Sequence, residues 1–96
     1  MNKKLVENMW SDYVDAMVLA AGVAETYTLP DGVRWMTFSA TDDFYVRPDG
    51  TASVPTDEVS DGTASHLNPH HRNCEGITTL GFIAPRACVV TMEFYS

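Results

Sequence analysis

The chain has 96 residues, 45% of them hydrophobic, which is enough for one modest core and too apolar for whole-chain disorder. Six Lys and Arg against thirteen Asp and Glu leave a net charge of -7. That balance repels phosphate backbones, so nucleic acid is not an expected partner. No apolar run is long enough for a transmembrane helix, and no membrane partner is expected.

Residues 3–18 read KKLVENMWSDYVDAMV, with apolar side chains at Val6, Met9, Trp10, Tyr13, Val14, Met17 and Val18. The i, i+3, i+4, i+7 spacing predicts a helix, with Asn2 as its cap. A helix this short needs a surface to lie on. Residues 1–17 are therefore expected to form an N-terminal helical arm, in which Val6, Met9, Trp10 and Tyr13 contact a partner. Lys3 and Lys4 before the apolar stretch Ala16–Ala24 imitate a secretory leader, but Glu7, Asp12 and Asp15 intervene and argue against one.

From residue 18 the expectation is a β-sandwich domain running to residue 96. The run VAETYTLP alternates like a strand, and Pro30, Asp31 and Gly32 spell a turn. VRWMTFSA follows, with Trp35, Thr37 and Ser39 on one face and Met36 and Phe38 on the other. TDD turns the chain, FYVR is a short strand, and PDG at Pro48–Gly50 repeats the turn chemistry. TASVP is expected to be a brief or edge strand. Residues 56–76 lack periodicity and read as one loop of about twenty residues. ITTLGFIAP and ACVVTMEFY close the chain as two strands, the second with Cys88, Val90, Met92 and Phe94 on one face. Short strands at regular spacing predict a mainly β fold, an antiparallel, jelly-roll-like sandwich with an N-terminal helix or arm.

Four chemistries have to be weighed. His66, His70, His71 and Cys74 have an H-x3-H-H-x2-C spacing, and zinc accepts such ligands. Pro69 breaks the helix that would align His66 with His70, so the histidines are read as loop or interface residues and no metal is expected. Cys74 with a histidine lacks any nucleophile elbow or oxyanion pattern, so no catalytic residues are assigned and no enzyme is expected. Asp42, Asp43 and Asp49 fall in turns, where carboxylates cap backbone amides. Trp35, Phe44 and Tyr45 are the basis for a carbohydrate-binding reading, set against ordinary core packing. No phosphate-binding glycine motif occurs, and no cofactor is implied. Cys74 and Cys88 are too few for a disulfide framework and read as free thiols, though one bridge is an open alternative.

The segments TYTLPDGVRW, DFYV, DGTAS-x-LNP and IAP-x-ACVVTMEFY together resemble small virion structural proteins of tailed bacteriophages, over roughly residues 18–96. The resemblance implies a capsid decoration (cement) role, with head–tail or tail components close behind. It further implies a major capsid protein or another virion protein as partner, a homo-oligomer, and residence in the virion after assembly in the host cytoplasm. It carries over no catalytic or metal residues. His66, His70 and His71 join the arm as expected partner-binding residues.

Overall fold

The computed structural model describes residues 10, 11 and 13–96. They form eight strands: β1 (Tyr13–Leu19), β2 (Glu25–Thr28), β3 (Trp35–Ala40), β4 (Tyr45–Pro48), β5 (His66–Leu67), β6 (His71–Asn73), β7 (Thr79–Ile83) and β8 (Cys88–Tyr95). Two four-stranded sheets result, in the orders β1-β8-β3-β6 and β2-β7-β4-β5, and every strand pair is antiparallel. The mainly β sandwich read from the sequence is therefore present. Its strand order, with the chain passing back and forth between two sheets, is that of a jelly roll.

Alternation places the core. In β8, Cys88, Val90, Met92 and Phe94 are buried while their neighbours are half-exposed. Met36 and Phe38 of β3 lie opposite Phe94 and Met92 and are buried with them. Leu80 and Phe82 of β7 and Val46 of β4 supply the facing layer. Phe38, Phe44 and Phe82 meet at its centre, with ring centroids 6.0, 6.3 and 6.4 Å apart. Each fully buried side chain of this size stabilises the fold by about 2 kcal/mol. Among the described residues no buried side-chain nitrogen or oxygen lacks a partner.

Three expectations are corrected. Tyr13–Leu19 is a strand, not the end of a helix, so the sheet begins at Tyr13 rather than at residue 18. The rest of the expected helical arm falls on residues outside those described, apart from Trp10 and Ser11, which are not helical. The seven-residue run fits helical spacing, but it is apolar at every position except Asp15 and so suits a strand equally. Pairing along its whole length with β8 satisfies backbone groups that a lone helix of this length could not stabilise. The loop 56–76 contains two short strands, β5 and β6, each recruited by an edge: β5 by β4 and β6 by β3. TASVP forms no strand.

Instead, the chain after the second PDG turn lies across the outer side of the β2-β7-β4-β5 sheet. A methyl group on Gly81, in mid-β7, would collide with Gly50 O and stand 2.9 Å from Ala52 N. Ala52 is buried there. Ser53 N donates to Ser65 Oγ at 3.1 Å, tying the two ends of the loop together over this face.

Candidate functional site

The two sheets differ on their outer faces. The β2-β7-β4-β5 sheet is covered at its middle by the chain's own 50–52 segment. Among the described residues, nothing covers the β1-β8-β3-β6 sheet in the same way. Strand register assigns its outward residues: Val14, Ala16 and Val18 from β1; Val89, Thr91, Glu93 and Tyr95 from β8; Trp35, Thr37 and Ser39 from β3; His71 and Asn73 from β6. Glu93 is the one carboxylate on this face, and no Lys or Arg points outward from these strands, although the chain as a whole carries -7. Val18 is 75% exposed, Val14 50% and Trp35 41%. A continuous face of β-branched and aromatic side chains with so little charge is unlike ordinary solvated sheet surface and is the kind of patch that marks an interface.

At one end of this face the aromatic groups gather. Trp35 stands in register with Tyr95 on one side and Asn73 on the other. Thr37, two residues along, stands between Glu93 and His71. The rings of Trp35 and His71 lie 4.9 Å apart, tilted by 33°. A shallow depression lined by Trp35, Thr37, His71 and Tyr95 opens to solvent here.

The sequence-predicted partner residues that the structure describes do not converge on one place. Val6 and Met9 lie outside the described residues. Trp10 is 81% exposed, just before β1. Tyr13 packs edge-on against Phe94, with centroids 5.7 Å apart. His71 faces outward beside Trp35, whereas His66, paired with Val46, points to the opposite side of its sheet and lines a small internal cavity. His70 sits between β5 and β6, and its carbonyl accepts from Phe38 N at 2.8 Å. Of the described ones, His71 is placed by its register on the outer face of the β1-β8-β3-β6 sheet, and Tyr13 is turned to the inner side with Phe94.

The other chemistries separate in the same way. Of the four H-x3-H-H-x2-C side chains, His66 and Cys74 line one cavity while His71 lines a separate depression, and no group of three His, Cys, Asp or Glu able to hold a metal forms among the described residues. Cys74 and Cys88 are both free and buried. Burial pushes both thiols above their ordinary value, the reverse of what a reactive thiolate needs. Phe44 is in the core and Tyr45 is on the other sheet from Trp35, so these three form no common sugar platform.

The cavity that His66 and Cys74 line, about 90 Å³, lies between the sheets at the β5–β6 side, among Met36, Val46, Ile77 and Leu80. It is an apolar packing gap with no hydrogen bond between the two groups. Across the fold, at the β1–β2 side, Tyr27 OH donates to Asp15 Oδ2, and the Tyr27 ring stacks on Phe94 at 5.8 Å. Burial, with Asp15 beside it, raises the phenol far above its ordinary value. This pair closes the sandwich rather than activating a proton.

Sequence reasoning missed Val14, Val18, Glu93 and Tyr95 as surface-forming residues. In β1 the two β-branched residues, Val14 and Val18, are four apart, which fits a helix as well as a strand. No family model matches the chain, and neither curated proteins nor solved structures give a match.

Proposed function

We propose that this chain is a non-enzymatic structural protein of a bacteriophage virion, of the capsid decoration or cement kind, which docks on a coat-protein lattice through the outer face of its β1-β8-β3-β6 sheet. One observation carries the reading. Among the described residues, the chain covers one sheet with its own loop and leaves the outer face of the other uncovered, with a single carboxylate pointing outward from its strands. In an acidic chain, a face so depleted of charge suits burial against protein. The resemblance of residues 18–96 to phage virion proteins supplies the lattice as partner. Jelly rolls also serve in viral capsids, which agrees with this reading at the level of fold only. A head–tail or tail component would use the same face in the same way.

A second reading has one observation of its own. Trp35, His71 and Tyr95 lie together on the surface with Thr37 and Glu93 in reach, and stacked rings with nearby hydrogen-bonding groups also suit a carbohydrate.

The test is co-sedimentation with assembled shells, comparing the wild-type chain with Thr37→Lys. Thr37 is in the middle of the face and outside the core, so the fold should persist. Binding is expected to weaken at least about tenfold, a loss of about 1.4 kcal/mol, because the ammonium would have to be buried against protein. Wild-type protein that stays in the supernatant would overturn the lattice reading. Chemical-shift changes at Trp35 and Tyr95 with oligosaccharides, without shell binding, would install the carbohydrate reading in its place.

A further inference from the structure

We propose that β1 pairs with the β1 of a second copy, antiparallel and centred on Ala16, so that two four-stranded sheets join across a two-fold axis into one continuous sheet. The contact is made along the edge of the sheet and shares the β1 residues Val14 and Val18 with its outer face; it is read on the isolated chain, so its failure is distinguishable from a failure of lattice docking.

The argument starts from how sheet edges are guarded. An open edge presents unpaired backbone groups and recruits other chains unless it is short, charged, bulged or interrupted by proline. Among the described residues, three of the four edge strands are blunted in these ways. β2 has four residues, starts at Glu25 and runs into Pro30. β5 has two residues and ends at Asn68, which has a positive φ of 49°, followed by Pro69. β6 has three residues, the middle one Arg72. β1 differs on each count. It has seven residues, its pairing with β8 runs unbroken from Tyr13 to Leu19, and it contains no Lys, Arg, Pro or Gly. Its one charge, Asp15, is turned inward and held by Tyr27.

The sequence of β1 also complements itself. Antiparallel pairing about Ala16 sets Tyr13 against Leu19, Val14 against Val18 and Asp15 against Met17 of the second copy, and uses all seven residues. On the outer face, the exposed Val14 and Val18 then cover one another across the junction, as favourable cross-strand pairs do. Centring one residue earlier would set two Asp15 carboxylates face to face. Centring one residue later would leave fewer residues paired. A two-fold contact of like with like is the commonest form of self-association.

Sedimentation of the purified chain over a concentration series, with light scattering, is expected to give a monomer–dimer equilibrium. Val18→Lys should weaken it at least tenfold, because the ammonium meets an apolar Val14. Adding V14E to V18K should restore most of the association, because in this register the two new charges face each other. Ala16→Cys should cross-link to its symmetry mate under mild oxidation, while the wild-type chain, its two thiols buried, should not. This second variant decides the matter if Val18→Lys fails to fold. A wild-type chain that is monomeric at every concentration, a dimer unchanged by Val18→Lys in a folded protein, or an Ala16→Cys chain that does not cross-link would overturn the proposal.

Discussion

Asp49 shows how one side chain organises two parts of the chain. It has a positive φ of 50°, a conformation that Asp tolerates better than most residues. Its amide donates to Thr79 O at 2.8 Å, and its Oδ1 accepts from Thr78 N and Thr79 N, both at 3.0 Å. The PDG motif marks the turn and the capping habit of the carboxylate. The identity of the amides it caps, some thirty residues later in sequence, depends on β7 lying beside β4. Those donors hold the Asp49 carboxyl below its ordinary value of 3.8. A depressed native pKa stabilises the fold above that ordinary value, and the contribution is lost as the pH falls through the native value. Asp42, paired with Arg86 Nε at 3.0 Å, acts in the same sense. Asp49→Asn keeps an acceptor oxygen and tolerates the same φ. The variant is expected to fold, to be less stable than wild type at neutral pH, and to lose less stability between neutrality and strong acid. Melting temperatures across that pH range check this, and equal acid slopes for the two proteins would contradict it.

At the scale of the element, β7 is confined from both sides. Leu80 and Phe82 point into the core, and Gly81 lies beneath Gly50 and Ala52 on the outside. A lone glycine in an otherwise apolar strand is a recognisable sign of close backbone approach, but the sequence does not say which backbone approaches. Gly81→Ala is expected to destabilise by about 3 kcal/mol or more, because the obstacle is backbone and not a flexible side-chain tip. Urea unfolding monitored by tryptophan fluorescence measures the shift, and a midpoint close to that of the wild type would contradict the covering role of residues 50–52.

The other elements show the same division. β3 and β8 were readable in face and extent, because alternation between core and solvent is written directly into residue type. β1 was read as a helix because its apolar residues fit helical spacing, but a run apolar at all positions except Asp15 suits a strand equally, and the edge of β8 decided between them. β5 and β6 have no pattern of their own, since two or three residues are too few to show one. They are strands because β4 and β3 offer them an edge.

For the whole molecule, Cys74 and Cys88 report on how tightly the sandwich closes. Cys74 precedes the connection from β6 to β7, Cys88 opens β8, and both are free and buried. Their native reaction with a thiol reagent at neutral pH is expected to be slow, governed by opening of the sandwich, and both should react at once in denaturant. Rapid modification of either thiol in the folded protein would show that the sheets part more easily than this packing implies. The candidate surface also belongs to this scale. Its residues come from four strands that are far apart in the chain, so no local window of sequence contained it.

By itself the sequence determined the β class, the inward faces of the longer strands, the turns at Pro30–Gly32 and Pro48–Gly50, and the absence of a local catalytic motif. These depend on residue type and short spacing, which steric and hydrophobic effects read locally. Only the tertiary structure decided which strands neighbour one another in each sheet, the conversion of Tyr13–Leu19 from apparent helix to edge strand, the dispersal of His66, His70 and His71, and which sheet face the 50–52 segment covers. Each of those outcomes depends on which distant backbone supplies hydrogen-bond partners and cover, and one strand's composition does not specify that neighbour.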